Sequence, residues 1–231
     1  MIFAPDVLTA FPGLCVVEGI IRFVHITGES PGLESLKREV VGEIQSRFTL
    51  DTVRNEPLFR AYRDFFWSVG VDPTKTRPAS EALVRRVLTG GKLPTINTAV
   101  DAYNLASAVT GIPIGAFDAD ALSGGLTMRF AGEGERFTGI GMEKPVMLRE
   151  KQVIVTDAEQ VIAVYPYRDS DATKVTMDTK NILILACGVP RVDREKVIAA
   201  YEVCAGYLRG YTGGVPSGPE VFPGGERLAE S

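Results

Sequence analysis

Five short stretches between Leu126 and Arg168 set the main constraint on the fold: LTMRFAG, RFTGIG, VMLRE, KQVIVTD and QVIAVYPYR. Each is alternating or rich in β-branched residues, and Gly, Asp and Glu separate them. That predicts an antiparallel meander with hairpin turns. Helical spacing dominates most of the chain before them, and another helical pattern follows. Helices, then strands, then a helix argue for an α+β domain rather than a βαβ wrap.

The helical segments are legible from apolar spacing. LESLKREVVGEIQSRF repeats Leu33, Leu36, Val40, Val41, Ile44 and Phe48, and a second helix is expected over Pro57–Ser68. A third starts near Pro78, which suits a first helical turn, and runs through EALVRRVL to TGG. A fourth lies in LPTINTAVDAYNLASAVTG, with Thr98 as the expected cap and Asp101 three residues on. The last covers DREKVIAAYEVCAGYLRGY. Residues 14–26, LCVVEGIIRFVHI, predict a strand, and KNILILACGV fits either a buried strand or a buried helix. The final 22 residues hold six glycines and three prolines, which predicts a mobile tail instead of a packed element. One domain over 1–212 and a flexible tail over 213–231 is the expected organisation.

Composition removes several functions. A net charge of −4 argues against strong non-specific nucleic-acid binding, which needs a basic surface, but leaves room for a local basic groove. Cys15, Cys187 and Cys204 are an odd number without CxxC spacing, so buried free thiols in a reducing compartment are expected. His25 is the sole histidine and lies in an apolar run, where it reads as a strand residue. That argues against a zinc site and against a Ser–His–Asp hydrolase. RFAGEGERF lacks the spacing of a phosphate loop. No signal peptide or membrane span is visible, so a cytoplasmic protein is expected, with no metal and no cofactor.

The fourth helix carries an oddity. Asn97, Asp101 and Asn104 recur at i, i+4 and i+7, among small and apolar residues and with no Glu or Lys beside them. Such residues share a face. A solvated stripe is one explanation; a buried stripe that lines a pocket is the other. Three other stretches raise similar alternatives. TRPASEALVRRV offers Arg77, Ser80 and Glu81 at a helix start. GIPIGAFDAD sets Gly111 and Gly115 about Pro113, near Asp118, where glycine serves a turn or a ligand's approach. YPYRDSDATKVTMDTKN gathers Arg168, Asp169 and Asp171 with Thr173, Thr176 and Thr179.

The order of these motifs is similar to one family. FPGL, GVDPTKTRPASEALVRRVL, LPTINTAVDAYNLASAVTGIPIGAFD, LTMRFAGEGERFTGIG and TKNILILACGV together resemble the B3/B4 domain over roughly residues 11–212. In bacterial phenylalanyl-tRNA synthetase that domain lies in the β chain and hydrolyses tRNA carrying the wrong amino acid. The resemblance implies an α+β fold with a central, mainly antiparallel sheet flanked by helices. It also implies a free-standing, trans-acting aminoacyl-tRNA deacylase whose partner is the 3′ end of aminoacyl-tRNA. An aminoacyl ester is already activated, so a site that positions water and stabilises the oxyanion suffices without histidine or metal.

On that reading Asn97, Thr176 and Thr179 are the expected catalytic residues. Asp101, Asn104, Gly115 and Asp118 are expected to bind the substrate, and Arg77 and Arg168 the tRNA. The histidine of the synthetase pocket has no counterpart here. Two other functions compete: a non-catalytic module that binds an amino acid or a tRNA end, and a hydrolase of small esters or amides.

Overall fold

The computed structural model describes residues 1–228, and the expectation for the last three residues of the tail falls outside them. The strands form two five-stranded sheets and one short two-stranded ladder, so the α+β reading holds with its strands divided between sheets. The first sheet has the spatial order β1 (Ile2–Phe3), β4 (Thr127–Phe130), β7 (Val153–Thr156), β8 (Val161–Val164) and β9 (Arg168–Asp169). Its pairings are antiparallel except β1 with β4. Three of the five stretches expected to form one meander supply β4, β7, β8 and β9, with β1 added at one edge, whereas RFTGIG and VMLRE pair with each other outside this sheet. The ladder pairs β5 (Arg136–Phe137) with β6 (Val146–Met147).

The second sheet has the order β12 (Glu226–Arg227), β11 (Val215–Phe222), β2 (Cys15–Arg22), β10 (Ile182–Gly188) and β3 (Ile114–Asp118), antiparallel throughout. All seven residues of β10 are buried, and it pairs on both sides, which resolves KNILILACGV as a strand. β2 ends at Arg22, because Phe23 has φ of +58°, so His25 follows the strand and does not belong to it.

The expected tail is the clearest correction. Val215–Phe222 pairs with β2 from Arg22 to Val16, so the second sheet continues past residue 212. Its two internal prolines are tolerated because it lies towards the sheet's edge with a register shift between Ser217 and Glu220.

Among the described residues seven α-helices cover the sheets: α1 (Pro5–Ala10), α2 (Pro31–Arg47), α3 (Leu50–Asn55), α4 (Pro57–Ser68), α5 (Ala79–Leu88), α6 (Thr98–Thr110) and α7 (Arg194–Thr212). α7 packs on β2 and β10, α6 packs on α7, and α2 and α5 pack on α6. A helix in that position must be narrow. Ala99, Ala102, Ala106 and Ala108 are fully buried on α6 and permit the close approach of its neighbours. Gly111 ends α6 in the left-handed conformation (φ +77°), a C-terminal cap that glycine adopts without strain. Among the described residues, no helix is long and apolar enough to cross a membrane.

Candidate functional site

The edge strands β3 and β9 of the two sheets come into contact, and a small, partly enclosed cleft lies between them. Its volume is about 60 Å³, and its walls include Gly115, Phe117, Tyr165, Tyr167, Asp169 and Cys187. Glycine at 115 keeps this space open. A Cβ there would stand 3.2 Å from the Phe117 ring and 3.3 Å from Asp169 Oδ1.

The polar tips around the cleft are engaged by the protein. The Tyr165 hydroxyl donates to the Gly188 carbonyl (2.7 Å), Gln152 Nε2 donates to the Tyr167 hydroxyl (2.9 Å), and Cys187 Sγ donates to the Leu185 carbonyl (3.3 Å). Burial pushes the Cys187 thiol far up, and the neighbouring Asp169 charge adds to this, so Cys187 is an apolar wall and not a nucleophile. Asp169 is the acidic group of the cleft. Burial raises its pKa to about 7, against the opposing pull of the Ala116 backbone N–H and the Arg168 guanidinium. No ion pair offsets this burial among the described residues. A desolvated carboxylate in a cleft is a functional-site candidate on physical grounds.

The residues expected at a site fall into four places. Asn97 and Asp101 serve the helix itself. Asn97, and not Thr98, caps α6: Ala99 N–H and Val100 N–H donate to its Oδ1 (3.1 and 2.9 Å). Thr98 instead ties α6 to Thr27, accepting from its N–H (3.0 Å). Asp101 is 2% exposed, pairs with Lys37 on α2 (2.8 Å) and accepts from Ile96 N–H (2.9 Å). Lys37 also donates to Glu34 and Thr95 (2.6 and 2.8 Å). Burial lowers the Lys37 pKa, but its hydrogen bonds to Asp101 and Glu34 outweigh that and the net shift is upward.

Asp118, Thr176 and Thr179 form a second cluster at the far end of β3. The buried Thr179 hydroxyl donates to Asp118 Oδ2 (2.7 Å) and accepts from Thr176 N–H (3.0 Å), while Asp178 N–H donates to Thr176 Oγ1 (3.3 Å). This cluster fixes the loop before β10, and none of the three residues lines the cleft.

Gly115 and Arg168 do line it, together with Asp169. Arg168 Nη1 donates to the Ile140 carbonyl (3.2 Å), and Arg168 also borders an adjoining groove with Met142, Met147 and Tyr167. Arg77 and Asn104 lie in a larger open groove along α5, whose wall at Ala79 is shared with the cleft. Tyr167 and Cys187 were not anticipated. Asp169 stood out in the sequence only as one of a pair with Asp171, which forms a surface ion pair with Lys174 (2.8 Å). Among the described residues no group of three or more His, Cys, Asp or Glu side chains comes together as a metal site.

The sequence profile of the B3/4 domain matches residues 61–213, which include α5, α6, both edge strands and the whole cleft. The chain belongs to the B3/4 domain family. This B3/4 domain is similar to the phenylalanine–tRNA ligase beta subunit of Geobacter metallireducens, with 35% identity over 46% of this chain and 13% of that protein. The beta subunit of Gloeobacter violaceus is 34% identical over 58% of this chain and 17% of its own length. The chain therefore matches a small part of these relatives. Its fold is similar to an N-terminal fragment of the phenylalanyl-tRNA synthetase beta subunit from Pyrococcus horikoshii. That likeness has a TM-score of 0.53 and 16% identity, and covers 96% of this chain and 53% of the other.

Proposed function

We propose that this B3/4 domain hydrolyses the ester of a mischarged aminoacyl-tRNA, acting in trans and in the cytoplasm. The observation that carries the reading is the cleft at Gly115, with one desolvated carboxylate and otherwise apolar or engaged walls. Such a cleft suits the aminoacyl group: its apolar floor takes the side chain, and Asp169 receives the α-ammonium group. The role first expected of Asp101 moves to Asp169, because Asp101 is already paired with Lys37. Water attacks the ester carbonyl carbon, the ribose oxygen leaves with a proton, and the free amino acid departs. Arg168, at the rim, is the cation nearest the reacting ester. Asn97, Asp118, Thr176 and Thr179 hold the framework around the cleft.

A panel of mischarged tRNAs tests this. The wild-type protein is expected to deacylate at least one above the buffer rate. Asp169→Ala removes a charge-assisted contact worth about 1.5–3 kcal/mol, roughly a 10- to 150-fold loss of kcat/KM. A second reading, a module that binds an amino acid or a tRNA end without hydrolysis, is favoured by two features. The cleft's lining includes no histidine, and the expected catalytic hydroxyls are engaged elsewhere. Stabilisation by an amino acid or a tRNA, with no ester turned over, is what that reading requires.

A further inference from the structure

The cleft at Gly115 is small, and the side chains that set its size are held in place. A water takes up about 10–15 Å³ of cavity volume, so a cleft of about 60 Å³ has room for roughly four to six groups of that size. A cavity that accepts a benzene ring measures about 150 Å³. No aromatic ring fits unless a wall moves.

The aromatic walls resist such movement. The Tyr165 hydroxyl donates to the Gly188 carbonyl (2.7 Å), and its ring meets Phe65 edge-on with 6.1 Å between centroids. The Tyr167 hydroxyl accepts from Gln152 Nε2 (2.9 Å), and its ring lies 5.6 Å from that of Phe66. Phe117 is buried in the core. Swinging one of these rings aside breaks a hydrogen bond or leaves a void, and both cost free energy.

A larger groove of about 430 Å³ lies beyond, lined by Met142, Met147 and Leu148 among others. Val164, Tyr167 and Arg168 border both spaces and so divide them. The divide is held from the Arg168 side too. A Cβ at Gly139 would stand 2.5 Å from Arg168 Cγ, so the backbone there lies directly against the arginine stem. A long side chain in the cleft meets Tyr167 and Arg168 before it reaches the groove.

We propose that the cleft selects aminoacyl groups by size, admitting side chains up to that of valine and rejecting aromatic ones. With the α-ammonium group and Cα seated beside Asp169, the remaining volume takes roughly two to four further atoms. This rests on the proposed function, in that the cleft receives the aminoacyl group, and it names which groups enter.

The test reads binding, not turnover, with stable analogues: 3′-amino-3′-deoxyadenosine carrying alanine, valine, phenylalanine or tyrosine through an amide. A single methylene in an apolar pocket changes recognition by roughly 10- to 200-fold. The phenylalanine and tyrosine analogues are therefore expected to bind the wild-type protein at least about 100-fold more weakly than the alanine analogue. Tyr167→Ala joins the cleft to the groove and should bring the phenylalanine analogue to within roughly tenfold of the alanine one. Tyr167→Leu, which keeps more of the packing on Phe66, is the second variant should the first not fold.

An aromatic analogue that binds the wild-type protein as tightly as the alanine analogue overturns the size selection, and so does binding of none of them. A folded Tyr167 variant that discriminates as the wild type does overturns the divide on which the selection rests. The two proposals fail separately. Binding restricted to the small analogues, without hydrolysis of alanyl- or valyl-tRNA above the buffer rate, sinks the hydrolase and keeps the selection. Hydrolysis of phenylalanyl- or tyrosyl-tRNA as fast as alanyl-tRNA does the reverse.

Discussion

Asp101 on α6 is buried and Asp169 on β9 is half-buried, and the protein surrounds the two carboxylates in opposite ways. Asp101 receives the Lys37 ammonium at 2.8 Å and a backbone N–H at 2.9 Å. Asp169 has a backbone N–H and a partly opposing arginine field, and burial still raises its pKa to about 7. One charge is balanced within the fold. The other is held beside an empty space that a glycine keeps open. A paired carboxylate bolts two helices together; an unbalanced one is poised to receive a ligand cation.

The sharpest way to break this comparison is to remove each carboxylate in turn. Asp101→Ala leaves the Lys37 ammonium buried with only the half-exposed Glu34 to pair it, and should destabilise the protein by about 3–5 kcal/mol. Chemical denaturation measures this. Asp169→Ala should cost activity instead, with little loss of stability. If the two substitutions cost the same stability, the contrast between bolt and site is wrong.

The pH dependence sharpens it further. From the unfolded carboxylate value of about 3.9 up to about 7, folded Asp169 holds its proton while the unfolded chain loses it. Stability from this group is therefore present in full below about pH 4 and falls as pH rises through 7. Asp169→Asn removes that term, so its Tm relative to wild type should be higher at pH 8 than at pH 5. A difference that does not change between those pH values would show that Asp169 is solvated. The smallest effect is expected at Asn97, where Asn97→Ala removes the cap of α6 and should cost about 1 kcal/mol, roughly 2–4 °C in Tm. Hydrolysis should persist in that variant once the helix is folded.

Much of the bolt was legible in the sequence, and little of the site. The alanines of LPTINTAVDAYNLASAVTG mark a helix packed on several sides, and the polar residues within it signal buried groups that need partners. Lys37, 64 residues earlier, completes the pair with Asp101, and spacing carries no sign of it. The five β-rich stretches reveal strands because local alternation reports them, but not that two of the five pair apart from the first sheet. β11 was hidden because two prolines and a glycine outweigh pairing propensity in any local reading, while a place next to the sheet's edge with a register shift tolerates them. Asp169 and Asp171 are equivalent in sequence, two residues apart on one short run. Docking of β9 against β3 sets Asp169 beside Gly115 and leaves Asp171 in an ion pair with Lys174. Gly115 carried the same ambiguity, a turn or an opening, and only the strand beside it decides.

The account stands or falls on whether the cleft at Gly115 is where an aminoacyl ester is cleaved. Deacylation of a mischarged tRNA panel by the wild-type protein and by Gly115→Val, which fills the space against Phe117 and Asp169, measures this directly. Hydrolysis of at least one ester above the buffer rate is expected of the wild-type protein, lost in Gly115→Val while tRNA binding is kept. Hydrolysis at the wild-type rate by a folded Gly115→Val, or at no more than the buffer rate by the wild type for every tRNA tested, would contradict it.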